Sequence, residues 1–495
     1  MCLAPIVGRR SLLHRTLVEA SRPRLRYLRV SPFSTDSDSY VYAVPVREQY
    51  LLYAPVGKLV ALVNVAAIAE IRTFLRSGQI REGPLAPLAT LLPRLGTTTW
   101  QDPVERQGPL APVFLGIIPS RRCNMTCRYC DFRDPKADRQ VMAPATAVHA
   151  IDFMAGQCAR QGAKTYDIQL FGGEPFVEDR IVDTVVHHAL FVASRTGITP
   201  AFVASTNGLM SPARRRFVGD YFSQVVLSLD GFREFHDRYR PVHDQLGSFD
   251  QVVETAHDLS ASHARLCIRC CVTSESVFHM EAMARWFCEQ FRPAIINFEP
   301  MTESPHTQAA GLAPPHPHDF ARHSLRTWSL LRSYGCEPGS ATVLGNGLQN
   351  SSCPVGKDAV IVHPDGTLAS CYLVPADWEA RGMDLTIGRI HDDGTTDIRM
   401  PDVLELRRLV RGKPRCAGCF CRLTCAGGCH VNNTYPSCSD RYSSACIATR
   451  ILTACTLLED LGNPDLADDI VTDPEALAAL SAACSDRVAD FEEGT

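Results

Sequence analysis

The chain has 495 residues, 45% apolar and 21% charged, the make-up of a soluble globular protein with room for two to four domains. Its formal net charge of -4 gives no global basic field for nucleic acid or an anionic membrane, and no stretch approaches the roughly 18 apolar residues of a membrane-crossing helix. The outlier is cysteine, with 21 in the chain.

Residues 1–37 are rich in arginine, lack periodicity and read as a disordered basic arm. Within them GRRSLLHRTLVEASRPRL carries the twin arginine of an export signal, but Glu19, Arg22 and Arg24 interrupt any apolar core. A cytoplasmic location is expected. There, thiols serve metal binding or catalysis more often than disulfides.

Residues 38–108 form a small α+β unit. YVYAVPV and YLLYAPV, separated by REQ, predict a hairpin, and VALVNVAAIAEIRTFLRSG has helical periodicity. A proline-punctuated connection follows from Leu85 to Leu95. A small sheet with an open edge is suited to capturing a peptide by strand addition; a plain structural lid is the other reading.

Between 109 and 335 the pattern changes. PVFLGIIP, YDIQLFGG, AFVASTNG, VVLSLDG, LCIRCCVT and AIINFEP are short runs rich in β-branched residues, separated by helical stretches at 144–161, 178–196, 248–263 and 278–291. Six strand–helix units in succession predict a parallel sheet with its helices outside. Cys123, Gly172, Asn207, Asp230, Thr273 and Glu299 follow the strands, and ligands of α/β sheets bind at the carboxyl ends of strands. These residues are expected to face one mouth. From 336 to 450 short hairpin-like runs such as DAVIVHPDGTLASCYLV are punctuated by cysteines, and 451–495 reads as helical.

The cysteines cluster. Cys123, Cys127 and Cys130 are spaced C-x3-C-x2-C, and nine more lie between 353 and 446, whereas Cys158, Cys288 and Cys455 read as buried hydrophobes. A closed structural zinc site takes four ligands and a cubane iron–sulfur cluster also takes four. Three thiolates on a cubane leave one iron open to chelate a small molecule, and the amino and carboxylate groups of S-adenosylmethionine (SAM) suit that iron. A zinc site completed from elsewhere, or unrelated surface thiols, are the alternatives at this point. FGGEP at 171–175 follows the second strand, where two glycines let backbone approach a ligand closely and Glu174 can accept from a ligand amine. LSLDG points Ser228 and Asp230 the same way, and Arg238 and Arg240 of HDRYRP can pair with a carboxylate.

In the order C-x3-C-x2-C, GGEP, STNG, SLDG and HDxxR, residues 110–335 resemble the radical SAM superfamily. The resemblance implies a partial (β/α)6 barrel and a SAM-bound 4Fe-4S cluster on Cys123, Cys127 and Cys130. It also implies Tyr129 beside the adenine, Gly172, Gly173, Glu174 and Pro175 along the methionine amine, and Asn207, Ser228, Asp230 and Arg240 around the cofactor. The cysteines from 353 to 446 resemble the SPASM domain of peptide- and protein-modifying members. By that likeness Cys353, Cys371 and Cys429 would hold a first auxiliary iron–sulfur cluster, and Cys416, Cys419, Cys425 and Cys446 a second. Cys336 is a candidate fourth ligand of the first, an open site being the other option, and Cys421 and Cys438 fall outside the pattern. Sulfatase-maturing members carry an acidic proton acceptor just after the second SPASM cysteine. Here Tyr372 stands there, a poor base at neutral pH.

The leading expectation is a radical enzyme that cross-links or otherwise modifies a ribosomally made precursor peptide. Its electron donor would be a protein such as flavodoxin or ferredoxin, and no nucleic-acid or membrane partner is expected. Sulfatase maturation and a catalytically silent zinc-binding interaction protein are the alternatives.

Overall fold

A computed structural model of the chain describes residues 40–77, 95, 108–132, 140–242, 246–340, 342–343, 347–349, 351–409, 413–432, 442–482 and 486–488. The basic arm, nearly all of the 85–95 connection and Cys438 lie outside the described residues.

The amino-terminal unit is a three-stranded antiparallel sheet, β1 (Tyr42–Val46), β2 (Gln49–Ala54) and β3 (Leu59–Val63), followed by the helix Val65–Ser77. The expected hairpin is present, with Tyr42 opposite Tyr53. The expected helix starts later than its periodicity suggested. LVALV is apolar throughout and pairs with β2, Tyr53 opposite Val60, so its side chains go alternately to the two faces of the sheet and the helix begins after Asn64, whose side chain accepts from Ala67 N at 2.9 Å. Ala43, Leu52, Leu59 and Ala61 pack on Ile68, Ile71 and Phe74 of the helix, while Val44, Leu51, Tyr53 and Val60 join the main core. Along β1's outer edge Ala43 N donates to Asp486 O at 2.7 Å and Val488 N to Val41 O at 3.0 Å. Among the described residues the outer edge of β3 has no strand partner.

Among the described residues the main sheet has eleven strands. Six correspond to the six apolar runs: β4 (Leu115–Ile117), β5 (Thr165–Leu170), β6 (Thr199–Thr206), β7 (Gln224–Ser228), β8 (Arg265–Val272) and β9 (Ile295–Pro300). They pair in sequence order, all parallel. Parallel order requires a crossover between strands, and the helices Pro144–Gln161, Asp179–Thr196, Phe249–Ser260 and Met280–Phe291 supply most of these, burying their apolar faces against one side of the sheet. At one edge β10 (Glu337–Pro338) adds parallel to β9. At the other, β11 (Val360–Val362) pairs parallel with β4 and continues antiparallel through β12 (Thr367–Ala369), β13 (Thr386–Ile390) and β14 (Thr396–Ile398). The cysteine-rich region therefore begins as a direct extension of the barrel sheet.

The inner floor of this open barrel is filled beside β4 and β5. Tyr372, only 1% exposed, packs its ring against Phe171 at 4.7 Å between centroids and points its hydroxyl at Gln169 Oε1, 3.2 Å away. Gly116 makes the space, since a Cβ there would stand 2.6 Å from Tyr372 Oη. Overfilling a packed core costs about 1–3 kcal/mol. Gly116→Val should therefore destabilise the protein by that amount, measured as a lower denaturant midpoint at unchanged slope. An unchanged midpoint would mean that the tyrosine does not fill this floor.

Candidate active site

The chain leaves β4 at Ile117 and runs across the carboxyl ends of the strands as the loop 118–132 that carries Cys123, Cys127 and Cys130. Its two halves are fixed by different neighbours. The first half lies on the Gly-Gly-Glu turn after β5: Gly173 N donates to Ser120 O at 3.2 Å and Glu174 N to Arg122 O at 2.8 Å. A Cβ at Gly173 would lie 2.0 Å from Arg122 O, and Gly172 adopts φ 140° against Ser120 O. The glycines make room for the cysteine loop's own backbone, where the sequence suggested room for a ligand. In the second half Thr126 N donates to Pro241 O at 2.8 Å and Arg128 N to Tyr239 O at 2.9 Å.

Glu174 completes the first attachment. It is 1% exposed, and its carboxylate accepts from Phe176 N (3.2 Å), Thr206 Oγ1 (2.9 Å) and Asn207 N (2.6 Å). Three of the roughly four acceptor positions of a carboxylate are thus used within the protein, so Glu174 chiefly staples β5's turn to the end of β6. Burial lifts its carboxyl to about 7 despite these donors. Asn207, so placed, reaches Asn124 Oδ1 at 2.7 Å and Cys123 Sγ at 3.6 Å.

Together these residues surround one open cavity. Cys123, Cys127, Tyr129, Cys130, Gly172, Gly173, Glu174, Asn207, Ser228, Asp230 and Arg240 all line it; of the sequence-predicted cofactor residues only Pro175 does not, starting instead a short 3-10 turn behind it. Tyr129, Asp230 and Arg240 form a buried network. The Tyr129 hydroxyl donates to Asp230 Oδ2 and accepts from Arg240 Nη1 at 2.5 Å, and Arg240 Nη1 stands 3.9 Å from Asp230. The three thiols are neighbours. Burial pushes Cys123 up to about 11 and Cys127 to about 12, so a metal bound here displaces their protons. Among the described residues no three His, Cys, Asp or Glu side chains converge closely enough for a single metal ion. A cubane is held at separate corners, and three adjacent thiols on one loop with an open cavity beside them fit it.

Other expectations need correction. Thr273 does not line the cavity; its hydroxyl bonds Tyr239 Oη at 2.9 Å and caps the turn at Ser276. Arg238 pairs with Glu275 at the surface, 2.6 Å. Cys336 sits against Cys288 and near Cys267, where the chain joins the start of β9, so its thiol neighbours belong to the barrel. Tyr372, buried in the floor, does not line the cavity in place of an acidic base. Sequence reading missed Arg269 and Cys271 on β8 and Leu373 and Asn432 from the cysteine-rich region, which complete the cavity wall. It also missed Arg121, 2% exposed, which donates to the carbonyls of Tyr372 (2.6 Å) and Leu373 (3.3 Å) and ties the cysteine loop to that region. The arginine and cysteine of β8 were visible in LCIRCCVT, where Arg269 and Cys271 alternate on one face.

The second cysteine field is partly drawn together. Cys416, Cys419, Cys425 and Cys446 stand close enough to act on one another electrostatically. Cys421, outside the sequence pattern, lies beside Cys419, and together with the Arg450 cation it holds the Cys419 thiol below the ordinary cysteine range against its burial. For the other set, the loops of Cys353 and Cys429 approach where Ser351 Oγ, bonded to Cys353 O at 2.8 Å, faces His430 Nε2 at 3.4 Å. Asn432 N donates to Cys429 Sγ at 3.4 Å, so this loop borders the main cavity.

Residues 117–287 match the family described as the Radical SAM superfamily, so this part of the chain is a Radical SAM domain. A radical SAM cyclopropyl synthase, TigE, of Paramaledivibacter caminithermalis is 24% identical over 132 residues, 24% of this chain and 27% of that protein. A cysteine-type anaerobic sulfatase-maturating enzyme of Clostridium novyi is 21% identical over 216 residues, 42% of this chain and 57% of that protein. The chain thus spans about a quarter and just over half of these relatives' lengths. Among solved structures, anSMEcpe with bound AdoMet aligns with TM-score 0.53 and 18% identity over 74% of this chain and 98% of that one. The same protein with AdoMet and the Cp18Cys peptide aligns at 0.51 and 19%, over 73% and 99%. At these identities the likeness is one of fold.

The tight fit of the glycine turn gives a direct test. Gly173→Ala forces a methyl group into the Arg122 carbonyl and should unseat the cysteine loop. After anaerobic reconstitution this variant should hold about four fewer irons than the parent, the content of one cubane. A full iron complement would show that the turn does not position the loop.

Proposed function

We propose that this chain is a radical SAM enzyme that modifies a ribosomally made peptide at an unactivated carbon, forming a cross-link or a related product. Cys123, Cys127 and Cys130 would hold a 4Fe-4S cluster, which with SAM and an electron would supply the radical chemistry that takes hydrogen from an unactivated carbon. The residues of the chain do the rest. Asn207 and the N–H of Met125, which donates to Cys123 Sγ at 3.4 Å, fix the first thiolate. The Tyr129–Asp230–Arg240 network would orient SAM, Arg240 offering its carboxylate a buried cation while Asp230 limits the net charge. Phe132, Phe171, Leu373 and Met301 line the cavity with apolar surface that keeps water from a radical.

The observation that carries this reading is the sharing of one cavity by the three-cysteine loop, the glycine turn, Asp230 and Arg240 with Leu373 and Asn432 of the cysteine-rich region. Cys353, Cys371 and Cys429, and separately Cys416, Cys419, Cys425 and Cys446, would hold two auxiliary clusters; the second set's adjacency supports that division. A flavodoxin- or ferredoxin-type donor would supply electrons. A peptide partner is supported by the open edge of β3, to which four to six main-chain hydrogen bonds of roughly 0.5–1.5 kcal/mol each could add a leader strand. Sulfatase maturation is less well supported because Tyr372 replaces the acidic base and is packed away from the cavity.

Anaerobically purified protein should contain on the order of 8–12 irons, two or three cubanes. Joint replacement of Cys123, Cys127 and Cys130 by alanine should remove about four of them and abolish 5′-deoxyadenosine formation. If a short peptide is found encoded beside the gene, only the parent enzyme should change its mass. Undiminished 5′-deoxyadenosine from the triple variant, or stoichiometric zinc in place of iron, would overturn the assignment.

A further inference from the structure

A built cluster of polar groups surrounds Cys419, away from the radical site. Arg450 lies on the helix Ser444–Asp460 one turn after Cys446, so the two share one face of that helix. Its side chain is 1% exposed. The guanidinium is fixed on every side: Nη1 and Nη2 donate to Asp486 at 2.5 and 2.9 Å, and Nε donates to Leu480 O at 2.7 Å. Phe420 and Tyr442 flank it at 4.9 and 4.5 Å from their centroids. So held, Nη1 also reaches Cys419 Sγ at 3.4 Å. Asp486 is itself anchored, accepting from Phe420 N at 3.0 Å while its own N–H donates to Gly418 O at 2.9 Å.

A buried guanidinium needs a counter-ion, and Asp486 meets that need. It does not explain why the fork is turned toward a thiol. A donor and a positive charge at a cluster thiolate favour the more negative, reduced state, and more so in a low-dielectric interior. We propose that Arg450, fixed by Asp486, is a positioning residue for an auxiliary iron–sulfur cluster on Cys416, Cys419, Cys425 and Cys446, and that its hydrogen bond to Cys419 raises that cluster's reduction potential. This rests on the reading that these four thiols hold a cluster. The step favoured is the arrival of one electron, with no bond made or broken. It equips the cluster to accept an electron from the radical site or to pass one from an external donor.

The test is a redox titration followed by electron paramagnetic resonance on the full-length, reconstituted protein, with Cys123, Cys127, Cys130, Cys353, Cys371 and Cys429 changed to alanine to remove overlapping signals and with iron counted in each sample. Arg450→Gln should make reduction at least tenfold less favourable, a midpoint lower by 59 mV for a one-electron couple. Asp486→Asn, which leaves the cation without its counter-charge, should move the midpoint upward. Opposite shifts are the signature, since a merely structural brace would change stability and leave the potential alone. Unchanged midpoints in iron-replete variants overturn the proposal. If Arg450→Gln cannot hold iron, the direction of the Asp486→Asn shift decides, and loss of iron from both makes the pair a structural brace and ends the proposal. Iron content unaffected by Cys416→Ala with Cys419→Ala would instead refute the cluster assignment on which it rests.

Discussion

The site depends on one close fit, the backbone of Ser120 to Arg122 lying on the Gly172–Gly173–Glu174 turn. A side chain at Gly173 would overlap Arg122 O, so the two segments meet main chain to main chain. From there the restraint runs in a circuit. Glu174 grips the end of β6 through Asn207 N, and Asn207 returns to Asn124 and to Cys123 Sγ. The loop 118–132 with its three thiols has little stability of its own, because each ordered residue costs about 1–2 kcal/mol of backbone entropy. Anchoring it to two parallel strands and, through Thr126 and Arg128, to the segment after helix Arg233–Tyr239 gives it the fixed shape that a cluster site requires.

The second consequence of the fold is that the distant parts of the chain converge. Arg121 ties the cysteine loop to the carbonyls beside Cys371, and β11 extends the sheet from β4. The amino-terminal sheet does not stand apart either. Tyr42 lies near Cys419 and Tyr53 near Cys421, and β1 pairs with the segment containing Asp486. The amino-terminal sheet therefore lies beside the second thiol set.

Much of this was legible in the sequence where the signal is local. The six barrel strands stood out because β-branched runs alternate with amphipathic helices, and the thiol triad because its spacing lies within one loop. What escaped reading depends on contacts between residues far apart in the chain. Gly173 and Arg122 are neighbours only once β4 and β5 pair, so the glycines looked like a ligand cradle. Tyr372 was judged as a failed base when its place is the barrel floor beside Gly116. LVALV looked helical because its apolar spacing suits both periods, and pairing with β2 decided it. Cys336 looked available as a ligand until the fold set it against Cys288. Cys421 looked spare, yet it lies within hydrogen-bonding reach of Cys419.

Everything proposed for this protein turns on whether the Cys123, Cys127 and Cys130 loop holds a cluster with one iron open to SAM. The most direct measurement is the electron paramagnetic resonance spectrum of the reduced protein with and without SAM, recorded on a variant whose auxiliary thiols are replaced by alanine. The expected result is a cubane signal whose g-values shift when SAM is added. A signal indifferent to SAM, or no iron–sulfur signal from an iron-reconstituted sample, would contradict it.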